Sequence, residues 1–211
     1  ESLGRNVVIL NPFDVVQPSA CRWNPLDYIR PQEFERDVRT IVEGLLEPES
    51  YGSEHFYKVA SNIIQVAIEV LSVTVEREDF NLVSLYDLVC GKDFLNILKA
   101  WKEKDDFLGG RPSKIAHVIL SAGDDERGSF FTTLERNLSW IGYQKNRELL
   151  RSSTFSTDDT LDNKLDLFCV IPLDMMEAMS SFLRLFANTI LGTVIRQSGI
   201  KNPKEKILLI L

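Results

Sequence analysis

Asn6-Val7-Val8-Ile9-Leu10-Asn11, closed by Pro12, is a short apolar run ended by a turn former. Two more runs read the same way: Leu165-Asp166-Leu167-Phe168-Cys169-Val170-Ile171 before Pro172, and Lys206-Ile207-Leu208-Leu209-Ile210-Leu211. Continuous apolarity of this kind suits strands of a parallel sheet covered on both faces. Short length and flanking prolines favour strand over buried helix. Between the second and third runs, Met175, Met179, Phe182, Leu183, Phe186, Ile190 and Val194 recur at helical spacing. Asp174 is placed to cap that helix, and Gly199 lies just past its end. Strand, long helix, strand is the unit of an α/β sheet.

The middle of the chain is different. From about Pro31 to about Asp162 the apolar spacing is helical nearly throughout. Phe34, Val38, Ile41, Val42 and Leu45 share a face, as do Phe56, Val59, Ile63, Val66, Ala67 and Val70. Asn81 is placed to cap Leu82–Val89, and Ser113 to cap Ile115–Leu120. Lys92 to Lys104 makes another helix, and Phe130 or Phe131 opens a long one through Leu134, Leu138, Ile141 and Leu149. Ser152 to Asp162 is polar and reads as a mobile return linker. A helical block followed by a resumed sheet is the pattern of a domain inserted into a surface loop.

Composition narrows the function. The net charge is −7, which does not advertise a phosphate-backbone ligand. Residues 33–160 carry 15 Lys and Arg against 23 Asp and Glu, so the acidity belongs to the helical block. Cys21, Cys90 and Cys169 lack metal-ligand spacing and read as reduced thiols. With only His55 and His117, neither a zinc site nor a histidine-based triad is expected. No run of some 18 apolar residues marks a membrane span, so the chain reads as soluble. It starts without Met and stops inside an apolar run, as a piece of a longer protein would.

Val7-Val8-Ile9-Leu10-Asn11-Pro12-Phe13-Asp14, then Arg22-Trp23-Asn24-Pro25-Leu26-Asp27-Tyr28-Ile29, resembles the TraG/TraD coupling-protein family of type IV secretion. His55-Phe56-Tyr57-Lys58-Val59-Ala60 and Leu167-Phe168-Cys169-Val170-Ile171-Pro172 extend the resemblance, as does the helix with Leu183-Arg184-Leu185. Asn11, Pro12, Arg22, Trp23, Asn24, Pro25, Leu26 and Asp27 are its motif residues; Asn11 departs from the aspartate of many relatives.

The resemblance implies a mainly α chain: an all-helical domain inserted into segments of a RecA-like P-loop NTPase sheet with three short parallel strands. Residues 1–30 and 163–211 would be ATPase segments, the latter ending at the Walker B strand. Residues 31–162 would be the substrate-recognition domain. It further implies a homohexamer at the cytoplasmic face of the bacterial inner membrane, using ATP and Mg²⁺ to pass effector proteins or relaxase-bound DNA to a secretion channel. This chain contains no G-x-x-x-x-G-K-[ST]. It is expected to hold no catalytic residue, cofactor or metal and to be inactive on ATP.

Two candidate surfaces remain. Asp124, Asp125, Glu126 and Arg127 form a charged segment opening onto a long helix and are candidates for partner binding. Arg136, Tyr143, Lys145 and Arg147, with Trp140, combine cations and rings and are candidates for single-stranded DNA. The acid excess points towards secretion substrates or adaptors with basic signals. Alternatives are a single-stranded DNA-binding domain and a helical insertion of an unrelated P-loop enzyme.

Overall fold

A computed structural model describes residues 6–16, 20–47, 54–161 and 165–198. β1 (Asn6–Leu10) and β2 (Leu165–Cys169) pair in parallel, with Asn6 opposite Leu165 and Leu10 opposite Cys169. Both strands fall where the apolar runs place them. The third run, Lys206 to Leu211, lies outside the described residues. Val7 and Phe168 sit on one face and are 54% and 52% exposed, so the described residues leave that face open. The expected cover on both faces is therefore only half present among them.

The rest is helical: α1 (Phe34–Leu45), α2 (Glu54–Thr74), α3 (Leu82–Val89), α4 (Phe94–Lys102), α5 (Arg111–Ser121), α6 (Asp124–Leu138), α7 (Gln144–Leu150) and, after β2, α8 (Ser180–Ser198). Asn81 caps α3 as its position predicts, accepting from the backbone N–H groups of Val83 and Ser84. α2 is, among the described residues, the one helix long and apolar enough to cross a membrane. Its apolarity has another use here. Ile63, Ile64, Ala67 and Ile68 are fully buried, and α1, α3, α5 and α6 all pack against it.

Three local expectations are corrected. The long helix from Phe130 to Leu149 is broken: α6 ends at Leu138, a 3-10 turn covers Ser139–Gly142, and α7 follows. Side chains capture the carbonyls a continuous helix would use, since the Trp140 indole donates to Asn137 O (3.0 Å) and Asn146 Nδ2 to Trp140 O (2.7 Å). Ser113 lies inside α5, which Gly110 opens in a left-handed conformation (φ 76°). Its hydroxyl instead donates to Lys102 O and Asp105 Oδ1. Finally, α8 begins at Ser180, after a 3-10 turn at Leu173–Met175, so Asp174 caps nothing in it. Apolar spacing over one or two turns does not distinguish these helix types.

A continuous apolar core runs from Leu10 and Trp23 through α1–α7 to Met179, Phe182 and Leu185. α1 lies directly on α8: a Cβ on Gly44 would stand 2.7 Å from Leu185 Cα.

Candidate functional site

The motif residues join the segment that follows β1 to the segment that precedes β2. Asn11 is buried and its Oδ1 accepts from Val15 N at 2.9 Å, closing the turn after β1 around the buried Pro12. An aspartate at position 11 would accept the same bond. Arg22 and Thr154, 132 residues apart, join three times: Thr154 N donates to Arg22 O (3.0 Å), Arg22 N to Thr154 Oγ1 (3.1 Å) and Thr154 Oγ1 to Arg22 O (3.3 Å). Trp23 N donates to Leu149 O at 2.8 Å. The Trp23 indole is buried edge-on against Phe182 (5.9 Å) and Phe186 (5.4 Å) of α8.

Asn24 does three things at once. Its Oδ1 accepts from Leu26 N (3.2 Å), capping the 3-10 turn Pro25–Tyr28 that Pro25 begins and Leu26 anchors in the core. Its Nδ2 donates to Phe80 O (2.9 Å), and its backbone N donates to Ser153 Oγ (2.9 Å). Ser153 Oγ in turn donates to Asp27 Oδ2 (2.7 Å), whose other oxygen takes Arg77 at 2.6 Å. Between the entry segment and the return segment lies a surface cavity of about 370 Å³ lined by Trp23, Asp27, Tyr28, Ser153, Phe155 and Thr157. The return segment is thus stitched to the entry segment, and Thr157–Leu161 is a 3-10 helix. The segment read as a mobile linker from its polarity is pinned instead: Ser153 and Thr154 spend their hydroxyls on Asp27 and the backbone of the entry segment, and Thr157 meets Thr193 of α8.

Asp124, Asp125 and Glu126 form the first turn of α6 rather than a loop before it, where carboxylates meet the positive helix end. Arg127 pairs with Asp124 and also donates to Ala122 O at 3.2 Å. Glu126 faces His55 Nε2 at 3.1 Å, linking α6 to α2.

Two of the four DNA candidates are held by carboxylates. Arg147 spends both guanidinium ends on Asp87 (2.8 and 2.7 Å), which hold its pKa up, and Lys145 reaches Asp14 at 2.8 Å. Tyr143 is 46% exposed and Arg136 is exposed, while Trp140 is buried against Phe182.

One cluster escaped the sequence reading. Asp37 is buried, accepting from Arg30 N (3.0 Å), Arg30 Nε (2.9 Å) and Arg196 Nη1 (3.2 Å). Burial alone would raise its pKa, but these bonds and the Arg196 charge outweigh it and hold the carboxyl below the usual range. The available signal was position: Asp37 is an acid one residue before Val38 on the apolar face of α1.

Cys90 and Cys169 are poor thiol nucleophiles. Burial, then the Glu135 charge, pushes the Cys90 thiol far up, and burial lifts Cys169 to about 12. No three His, Cys, Asp or Glu side chains among the described residues could hold a metal ion. The Gly109–Gly110 turn joins two helices without a preceding strand, and Arg111 after it is engaged by Glu69.

With this geometry in hand, the comparisons with known proteins agree. Residues 1–211 match the family model described as type IV secretory system conjugative DNA transfer. The type IV secretion system-coupling protein VirD4 of Bartonella quintana (strain Toulouse) is 20% identical over 98% of this chain, which spans 33% of that relative's length. A solved structure of the bacterial conjugative coupling protein TrwBdeltaN70 superposes with a TM-score of 0.64 at 14% identity, over 90% of this chain and 40% of that one. That likeness shows the fold, and the match over its whole length shows that this chain belongs to the type IV secretory system conjugative DNA transfer family.

Proposed function

We propose that this chain is the recognition portion of a coupling protein that selects cargo for ATP-driven transfer. Residues 31–162 form the inserted all-helical domain, which binds secretion substrates or their adaptors. Residues 1–30 and 163–211 belong to a RecA-like ATPase body, assembled as a homohexamer at the cytoplasmic face of the inner membrane. The observation that carries this reading is the neck. Arg22 and Thr154 pair across 132 residues, and the strands that precede and follow them in the chain are parallel neighbours, as expected of an insertion whose ends leave the sheet together.

No phosphate loop is assigned to the described residues: the Gly109–Gly110 turn joins two helices and follows no strand, unlike the strand-to-helix loop that cradles phosphates. No catalytic step is assigned to this chain. Membership of the family sets aside the unrelated P-loop enzyme.

The test is an exchange of residues 31–162 between the full-length protein and a family member that transfers a different cargo. Cargo preference should follow the helical block. Preference that follows the ATPase body would overturn the reading. Selection driven by single-stranded DNA affinity alone would favour the DNA-binding alternative.

A further inference from the structure

α4, the end of α5 and the start of α6 enclose an open cleft of about 460 Å³. Leu95, Lys99, Lys102, Glu103, Leu120 and Arg127 line it. Leu95, Lys99 and Lys102 stand at successive turns on one face of α4, so their side chains form a row. Leu95 is 40% exposed, and both lysines are exposed. Neither lysine has a carboxylate within ion-pair distance among the described residues. Arg127 is held in place by Asp124 and by Ala122 O at 3.2 Å, and keeps 23% of its side chain accessible.

The charge of this cleft runs against that of its surroundings. Three cations and one carboxylate line it, on a block whose acids outnumber its bases 23 to 15. Two leucines lie among the cations. No aromatic ring lines the cleft, so a nucleic acid base has nothing to stack on. A peptide segment bearing Asp or Glu beside an apolar side chain matches both the ammonium groups and the leucines.

We propose that this cleft docks an acidic amphipathic segment of a partner protein. Its carboxylates would meet Lys99 and Lys102, and its apolar side chain would sit between Leu95 and Leu120. The proposal rests on the reading that the helical block recognises proteins, and gives that recognition a second, oppositely charged surface.

The probe is a fluorescein-labelled helical peptide with glutamates and leucines on one face, titrated with the full chain by anisotropy. Its glutamine counterpart and a single-stranded oligodeoxythymidine serve as comparators. The acidic peptide should bind and the glutamine peptide should bind more weakly. Lys99→Glu with Lys102→Glu should weaken it by about tenfold or more, the scale of losing one or two desolvated charge contacts. Leu95→Ser should weaken both peptides. All three sites are exposed, and unchanged circular dichroism checks that the variants fold. Unaltered affinity in the double reversal, equal binding of the glutamine peptide, or oligodeoxythymidine binding with the same lysine dependence in place of the peptide would each overturn the proposal. Cargo that follows the exchanged helical block while these variants change nothing sinks the cleft alone. Cargo that ignores the exchange sinks the recognition reading first.

Discussion

Arg196, near the end of α8, places its guanidinium 3.6 Å from the centroid of the Tyr28 ring. The same guanidinium donates to Tyr28 O (3.3 Å) and to Asp37 Oδ2 (3.2 Å). One side chain therefore ties the last described helix to the turn after Asn24 and to α1. A desolvated cation over a ring contributes about 2 kcal/mol. The Arg196 side chain is only 7% exposed, and that of Asp37 1%.

Asp37→Ala would strand the buried Arg196 charge. A loss of about 3–5 kcal/mol is expected, as for other broken buried pairs. Urea denaturation measures it. The pH dependence carries a sign. The folded carboxyl titrates below its unfolded value, so its contribution is complete above the ordinary carboxylate range and is lost as pH falls through the lowered pKa. Asp37→Asn should remove that acid-side slope. An unchanged slope would show that Asp37 does not drive acid unfolding.

Glu69 should behave in the opposite sense. Burial raises its carboxyl pKa, and Arg111 only partly offsets this. The folded state then holds the proton more readily than the unfolded chain. Its contribution is greatest at acidic pH and declines as pH rises through the raised value. Glu69→Gln should flatten that decline, and melting at mildly acidic and neutral pH checks it.

Gly44 and Gly128 are both helical glycines, yet alanine should act oppositely at the two. A Cβ at Gly44 meets Leu185 Cα at 2.7 Å, and at Gly128 it meets nothing within 4 Å. Gly128→Ala should stabilise by about 0.5–1 kcal/mol through helix propensity. Gly44→Ala forces α1 from α8, and overpacking of about 1–3 kcal/mol should outweigh that gain. Thermal midpoints that move in the same direction would contradict the close approach.

Asn24→Ala should cost about 1–3 kcal/mol, because it removes a cap and leaves the Phe80 carbonyl without its buried donor. Amide hydrogen exchange should accelerate at Leu26, whose N–H loses its acceptor, while α4 stays protected. Loss of protection throughout would mean that the neck holds the whole block.

Much of this was legible in the residues. The strands at Asn6–Leu10 and Leu165–Cys169, the Asn81 cap and the apolar faces of α1 and α2 are local patterns, and each survives in the structure. The helix break at Ser139 was not legible. Leu134, Leu138 and Ile141 keep helical spacing across it, and the cause is the Trp140 and Asn146 side chains competing for backbone carbonyls.

By itself the sequence determined the two strands β1 and β2, the acidic and mainly helical stretch between them and, through the Arg22-to-Asp27 motif, the family. These depend on neighbours a few residues apart, where backbone propensity and side-chain period act. Only the tertiary structure decided that Thr154 answers Arg22, that Asp37 is shared by Arg30 and Arg196, and that Lys99, Lys102 and Arg127 meet in one cleft. Apart from Arg30, these partners come from segments distant in the chain. The way helices cross and pack sets those meetings, and no local pattern records it.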